Sequence, residues 1–228
     1  MNILLATIKK LHAPYISELS DRFPQHQFVQ ASQKEDLLEQ AALCQPDLIL
    51  FPHWSWIIPP SIHEAFTCIV FHTADLPFGR GGSPIQNQIK RGIFDSYLCA
   101  LRVSEKLDEG DIYIKQPVSL RGTADEVMLR IADIIFHRMI PDMISALPTP
   151  VPQKGEPVVF KRLSPSDSRV PDHFTMDELF HHIQMLDGEG YPAAYIESEQ
   201  FKIEFSRASL KPGYILADAK ITRKGDIS

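Results

Sequence analysis

Short apolar runs alternate with helix-like stretches along the first two thirds of the chain. The runs have the length of buried strands, about four to eight residues, and polar or turn-forming residues bound them. They predict strands at Asn2–Thr7, Gln27–Gln30, Asp47–Pro52, Cys68–His72, Ser96–Val103 and Ile112–Ser119. Strands that alternate with helices are typical of a mostly parallel sheet in an α/β protein. We therefore predict that fold class for the region.

Two stretches carry the sequence signal of a helix start. In the capping boxes Ser32–Glu35 and Thr123–Glu126, a hydroxyl and a carboxylate can each satisfy a backbone N–H of the first helical turn. After the second box, apolar residues recur at helical spacing and mark one buried face: Val127, Ile131, Ile134 and Ile135. We expect this helix to run to about Ile144.

A composition shift divides the chain near residue 157. The proline-rich stretch Pro148–Pro157 can neither continue a helix nor join a central strand, so it predicts a linker. Beyond it the pattern predicts a strand at Val158–Lys161, a helix opened by the capping box Thr175–Glu178, and strands near Tyr195 and at Phe201–Ser209, with a frayed tail at Lys224–Ser228. We predict a catalytic domain of residues 1–157 and a small α+β accessory domain of residues 158–228.

Charge and cysteine content narrow the function classes. The formal net charge is −6 and no strong basic run occurs, which argues against a nucleic-acid partner. The three cysteines are scattered without CxxC spacing, as in a reduced cytoplasmic protein without a zinc site. No apolar run approaches the ~20 residues of a membrane span, and the N-terminus lacks the features of a signal peptide. We expect a cytoplasmic protein that contacts no membrane.

Candidate chemistry lies after two of the predicted strands. His72 ends the strand Cys68–His72, and Asp108 follows the strand that ends near Val103. Ligands of open α/β sheets bind at the carboxyl ends of the strands. A carboxylate beside an imidazole can orient it and favour its charged form, which suits removal of a proton from an amine that attacks a carbonyl group.

Two motifs around these residues resemble the double signature of the 10-formyltetrahydrofolate-dependent formyltransferases. They read His72-x-x-x-Leu76-Pro77-x-x-Arg80-Gly81-x-x-Pro84-Ile85-Gln86 and Leu107-Asp108-x-Gly110-Asp111. The resemblance covers most of residues 1–145. It implies a Rossmann-like domain, 10-formyltetrahydrofolate as co-substrate without a metal, and His72 and Asp108 as the catalytic residues.

One position departs from the family pattern. The family usually carries Asn two residues before the histidine, where its amide helps to hold the developing oxyanion, and this chain has Val70 there. Loss of one such donor typically costs about 10²–10³ in rate. Either His72 serves alone, or His53, Asn87 or the backbone amides near His72 replace the missing donor.

The resemblance also suggests which residues bind the two substrates. The loop after the third strand matches the family's pterin loop, which implies folate binding by Trp54, Ser55, Trp56, Ile57, Ile58 and Leu107. For the two tryptophans, packing in the core is an equally good interpretation. The predicted acceptor-binding residues are Lys9, Thr73, Arg80, Gly81, Gly82 and Arg162. Ordinary alternatives are a solvated loop for Lys9 and Arg162 and a loop-bracing role for Arg80.

Within the family, the chain looks most like the sugar N-formyltransferases, including the pseudaminic-acid-pathway type. Segments of the second domain, Phe160–Asp167 and Tyr191–Tyr195, share this likeness, and the larger basic C-terminal domain of methionyl-tRNA formyltransferase is missing. The resemblance thus implies the amine of a nucleotide-linked amino sugar as acceptor. The alternatives are glycinamide ribonucleotide or another small amine, or a non-catalytic folate- or nucleotide-sugar-binding protein. Whether the chain forms a homodimer stays open.

Overall fold

A computed structural model describes residues 1–224, so most of the tail predicted to fray lies outside the described residues. The chain forms two compact units. The first contains residues 1–80, 97–118 and 129–159, and the second contains residues 81–96, 119–128 and the chain from Phe160 onward. The division into contiguous domains of residues 1–157 and 158–228 stays a prediction. In the structure, residues 81–96 and 119–128 group with the C-terminal part.

The first unit is built on a six-stranded sheet with the order β2-β1-β3-β4-β6-β7. Its strands are β1 (Asn2–Thr7), β2 (Gln27–Ala31), β3 (Leu48–His53), β4 (Cys68–His72), β6 (Asp95–Arg102) and β7 (Ile112–Ser119). Strands β1 to β4 pair in parallel, whereas β6 runs antiparallel to β4. The predicted fold class, a Rossmann-like α/β domain with a mostly parallel sheet and a small C-terminal domain, is confirmed.

Helices connect these strands, and apolar side chains from both element types form the core. The helices are α1 (Ala13–Arg22), α2 (Lys34–Cys44), α3 (Pro60–His63), α4 (Pro84–Ile89), α5 (Ala124–Ile134), a π-helical turn at Ile135–Met139, and α6 (Ile140–Ser145). Leu37 and Ala41 of α2 are buried in one cluster with strand residues such as Leu4 and Phe51. Residues Ile3 to Ala6 of β1 have no exposed surface, as expected for a strand covered on both faces.

The predicted helix starts differ in how well they match the structure. Before α5, Thr123 and Glu126 form the expected reciprocal bonds, with N···O distances of 2.8 and 3.2 Å. Before α2, the capping box consists of Gln33 and Asp36, one residue later than predicted. Asp36 accepts from the backbone of Ser32 and Gln33 and from the Ser32 hydroxyl, so the shorter carboxylate takes the role assigned to Glu35.

The antiparallel direction of β6 changes how the site is assembled. Its register pairs His72 with Cys99 and Ile69 with Arg102, so β6 ends beside the amino end of β4. The backbone N–H of Val103 donates to the carbonyl of Cys68 at 2.9 Å. Asp108 does follow β6, but the expectation that this strand ends at the same edge of the sheet as β4 is wrong. The loop after β6 brings Asp108 back to His72.

The second unit contains a three-stranded antiparallel sheet with the order β11-β10-β9. Its elements are α7 (Met176–Gln184), β9 (Ala194–Glu197), β10 (Phe201–Lys211) and β11 (Tyr214–Arg223), and β11 was not predicted. A further two-stranded sheet joins β5 (Phe78–Gly81), also not predicted, to β8 (Val158–Phe160). Within residues 1–224, no helix is both long and apolar enough to cross a membrane.

Candidate active site

His72 lies at the carboxyl end of β4 and only 7% of it is exposed. Its Nε2 atom lies 2.7 Å from the backbone oxygen of Gly79. A carbonyl oxygen only accepts hydrogen bonds, so Nε2 carries a proton and donates it. This bond fixes the ring plane and leaves Nδ1 as the nitrogen that exchanges a proton.

Asp108 faces that nitrogen. Its Oδ2 atom lies 3.4 Å from Nδ1 of His72, and the residue is 9% exposed. A carboxylate opposite a ring nitrogen can orient the imidazole and accept a hydrogen bond from it when that nitrogen carries a proton. The structure thus brings the two predicted catalytic residues together, in an arrangement that suits uptake and release of one proton.

The backbone of the loop that carries Asp108 is tightly constrained. Asp108 has a left-handed conformation with φ of 56°, which Asp tolerates better than most residues. Two residues later, a Cβ on Gly110 would lie 1.8 Å from the carbonyl oxygen of Arg102, so this position requires glycine. The Gly of the Leu-Asp-x-Gly-Asp motif therefore allows the loop to return close to β6.

Gln153 connects this loop to Arg80. Its Nε2 donates to the backbone oxygens of Asp108 and Gly110 at 2.8 and 2.9 Å, and its Oε1 accepts from Nε and Nη2 of Arg80 at 3.1 and 2.9 Å. Arg80 also pairs with Glu109 at 3.0 Å. Gln153 was missed in the sequence because it lies in the proline-rich stretch interpreted as a linker. No sequence signal distinguishes it there.

The structure shows where Val70 and two candidate replacements for the missing oxyanion donor, Asn87 and His53, lie. Val70 packs against two apolar clusters and offers no polar atom. The side-chain nitrogen of Asn87 donates to the backbone oxygens of Gly82, Ser83 and Lys161 at 2.9 to 3.1 Å, so its amide is used inside the second unit. His53 ends β3, where it pairs with Thr7 of β1.

A second buried histidine lies near the end of β1. His12 is 1% exposed, and its Nδ1 lies 2.7 Å from the hydroxyl of Thr7. Burial, with smaller contributions from the positive charges of His53 and Lys9, lowers the pKa of His12 to about 4. His12 is therefore neutral near pH 7. Lys9 is partly buried beside this group, which differs from the solvated-loop alternative.

The predicted folate loop combines packed and exposed side chains. Trp54 packs against the core cluster of α2 and contacts Phe51, with ring centroids 5.8 Å apart, and its buried Nε1 has no hydrogen-bond partner within residues 1–224. Ser55 is exposed, and so are three large apolar side chains: Trp56 at 41%, Ile57 at 87% and Leu107 at 70%. Ile58 packs against the same cluster as Trp54. Apolar surface of this kind can cover a flat heterocycle.

The remaining predicted acceptor-binding residues divide between the two units. Thr73 is buried in the first unit. Gly81 has a φ of 97°, and a Cβ on Gly82 would lie 2.5 Å from Cβ of Arg162, so Gly82 allows a close approach of two backbones within the second unit. The Arg80 guanidinium is engaged with Gln153 and Glu109, which favours the bracing alternative. Among residues 1–224, no group of three His, Cys, Asp or Glu side chains has the arrangement of a metal site.

Family models match both parts of the chain. The model described as "Formyl transferase" matches residues 8–143, and the model described as "Methionyl-tRNA formyltransferase, C-terminal domain" matches residues 165–222. The predicted family is confirmed by these matches. The predicted co-substrate, 10-formyltetrahydrofolate, is the formyl donor of that family and is confirmed with it.

Individual relatives extend this result. A structure of methionyl-tRNA formyltransferase from Clostridium thermocellum is 44% identical, with a TM-score of 0.95 over 98% of this chain and 99% of that chain. Methionyl-tRNA formyltransferase from Bacillus cytotoxicus is 29% identical over 71% of this chain and 54% of its own length, so the chain spans about half the length of that curated relative. A sugar N-formyltransferase from a Shewanella species shares the fold, with a TM-score of 0.71 over 93% of this chain and 99% of that chain, at 16% identity.

These relatives correct two expectations. The predicted acceptor, a nucleotide-linked amino sugar, is wrong, because the chain is similar to methionyl-tRNA formyltransferases. Its likeness to sugar N-formyltransferases is one of fold, at 18% and 16% identity for two of them. The same finding counts against glycinamide ribonucleotide, a non-catalytic binding protein and the exclusion of nucleic acid. The charge argument failed because it used the whole chain. Strands β10 and β11 alone carry five Lys or Arg and two acidic residues: Lys202, Arg207, Lys211, Lys220 and Arg223 against Glu204 and Asp218.

Proposed function

This chain belongs to the formyl transferase family, and we propose that it transfers the formyl group of 10-formyltetrahydrofolate to the amino group of methionyl-tRNA. The observation that carries the acceptor is the 44% identity to the Clostridium thermocellum methionyl-tRNA formyltransferase, which extends over nearly the full length of both chains. The match of residues 165–222 to the C-terminal domain model of that enzyme supports it. Cytoplasmic location stays a prediction that cell fractionation would test.

His72 and Asp108 are the proposed catalytic residues. As the amino group bonds to the formyl carbon it has to lose a proton, the bond from that carbon to N10 of the folate breaks, and N10 has to gain a proton. A positioned acid–base group speeds such proton transfers by about 10²–10⁴. The Gly79 carbonyl fixes Nε2 of His72 as a donor, so the proton is taken up between Nδ1 and the Asp108 carboxylate, which lie 3.4 Å apart. The pair thus acts as one acceptor.

The donor site is proposed at the loop after β3. When bound, 10-formyltetrahydrofolate supplies the activated formyl group. Trp56, Ile57 and Leu107 provide exposed apolar surface against which a flat heterocycle can pack. The roles predicted for Ser55, Ile58, Lys9, Thr73, Gly81, Gly82 and Arg162 stay predictions.

The direct test is a transfer assay with the purified protein. Incubation with 10-formyltetrahydrofolate and methionyl-tRNA should yield formylmethionyl-tRNA, detected by mass spectrometry of the released amino acid. Uncharged tRNA and free methionine serve as controls and should remain unformylated. Binding of tetrahydrofolate is followed through emission from the chain's two tryptophans, Trp54 and Trp56. Release of formate with no product on methionyl-tRNA, from folded protein that binds tetrahydrofolate, would overturn the proposed acceptor.

A further inference from the structure

The side chain of Gln153, in the predicted linker, reaches the loop that carries Asp108. Its amide makes four hydrogen bonds at 2.8 to 3.1 Å, two through Nε2 to carbonyls of that loop and two through Oε1 to Arg80. Both hydrogens of Nε2 and both lone pairs of Oε1 are thereby used. A segment that only connects two domains does not need a side chain whose amide makes its full set of hydrogen bonds.

The backbone on either side of Gln153 is also held. Val151 forms a two-bond antiparallel bridge with Ile112 of β7, and both N···O distances are 2.9 Å. Farther along, the N–H of Val158 donates to the carbonyl of Pro77 at 3.2 Å. Gln153 therefore extends from a fixed strand edge, and its amide has a defined position relative to the loop.

The loop needs such support because its own conformation is unfavourable. Asp108 has a positive φ, and the backbone oxygens of Asp108 and Gly110 belong to residues outside the regular strands and helices. The two bonds from Nε2 of Gln153 hold those oxygens, and the bond between Arg80 and Glu109 holds the residue between them. All three residues of the turn are thus fixed from outside.

We propose that Gln153, supported by Arg80, is a positioning residue that sets the distance between Asp108 and His72. This rests on the proposed catalytic role of Asp108. Gln153 does not touch the reacting atoms. It acts through the backbone of Asp108, and displacement of a catalytic group by about 1 Å is sufficient to lower a rate by about 10²-fold.

Gln153→Glu is the sharpest test, because it keeps the shape of the side chain. A carboxylate still accepts both bonds from Arg80, but it cannot donate to the carbonyls of Asp108 and Gly110. We expect kcat to fall about 10- to 100-fold with KM for both substrates nearly unchanged. Lys154→Gln, at the exposed neighbouring position, is the matched control and should leave kcat unchanged.

A double-variant cycle separates positioning from a general structural effect. If Gln153 acts through Asp108, Gln153→Glu should add almost nothing to the loss already caused by Asp108→Asn. Should Gln153→Glu unfold the protein, Gln153→Met, which removes the bonds without adding charge, takes its place in the same cycle. Multiplicative losses in the double variant, or a silent Gln153→Glu beside an impaired Asp108→Asn, would overturn the positioning role alone. A fully active Asp108→Asn would overturn the proposed mechanism and this inference together.

Discussion

Two histidine–carboxylate arrangements in this chain differ in almost every respect except their chemistry. His72 meets Asp108 at 3.4 Å in a buried position at a strand end. His137, in the π-helical turn, meets Asp133 at 2.7 Å and Glu18 at 3.1 Å with about a third of its side chain exposed. The shorter contacts therefore belong to the pair that no functional argument selects.

What distinguishes the His72 pair is that the two ring nitrogens have different kinds of partner, a backbone carbonyl and a carboxylate. Gly79 fixes Nε2 through a backbone carbonyl, and the carboxylate opposite Nδ1 is itself held by a braced loop. At His137 both nitrogens face carboxylates, whose hydrogen bonds raise its pKa, first through Asp133 and then through Glu18. A histidine held in its charged form is suited to a surface ion pair, while one with a single exchangeable site is suited to proton transfer.

The largest expected effect is on turnover. His72→Asn and Asp108→Asn should each lower kcat about 10²–10⁴-fold, because each removes one half of the acid–base pair. His137→Asn and Asp133→Asn are the matched variants of the surface pair and should keep normal turnover. Steady-state kinetics of formyl transfer, measured for all four variants, test this difference in kcat. Loss of activity in the surface variants, with intact thermal unfolding, would break the comparison.

The second, smaller effect is on the free energy of unfolding and comes from His12, which is buried without a carboxylate partner. Because the folded-state pKa of His12 is about 4 and the unfolded value is 6.5, the unfolded chain binds a proton between these values and the folded chain does not. The stability contribution is thus complete above pH 6.5 and falls by on the order of 3 kcal/mol as the pH drops through 4. Urea unfolding across this range should show that loss in the wild type and not in His12→Gln. Parallel stability curves would mean that His12 titrates normally.

The smallest expected effect is the contribution of His137 to the free energy of unfolding. Its pH dependence has the opposite sign to that of His12. Its raised pKa means that its stabilising contribution is present below pH 6.5 and is lost as the pH rises through the folded-state value. Since the side chain is about a third exposed and screened by solvent, we expect at most about 1 kcal/mol. The difference in unfolding free energy between wild type and His137→Asn should vanish at high pH and shrink in high salt. A difference that persists at high pH would point to packing instead of charge.

The sequence predicted the strands of the sheet and the proximity of His72 and Asp108 better than the residues that support them. Strand β1 and strand β4 match their predicted bounds because each is a buried run with polar ends. The pair was found because His72 and Asp108 lie in two motifs with fixed spacing. The direction of β6 was not predictable, since an apolar run has the same pattern in either direction.

Gln153 shows why other parts of the site could not be predicted. Its importance depends on two carbonyls and a guanidinium that lie far away along the chain, whereas its sequence neighbours, prolines and exposed polar residues, are those of a linker. The acceptor was misjudged for a related reason. Net charge is a property of the whole chain, but recognition of an anionic partner depends on local surface charge.

The composition of the second unit has a consequence for synthesis of the protein. Residues 81–96 and 119–128 leave the ribosome before the segment from Phe160 onward that completes their unit. Until then, Asn87 lacks the carbonyl of Lys161, Gln86 lacks that of Met185 and Asp125 lacks that of Asp187. A nascent chain that has reached the linker is thus an incomplete fold with unpaired polar groups, a state in which chains tend to aggregate. The C-terminal third thus supplies hydrogen-bond partners to two earlier segments, and a gene fusion that exchanged it would remove those partners.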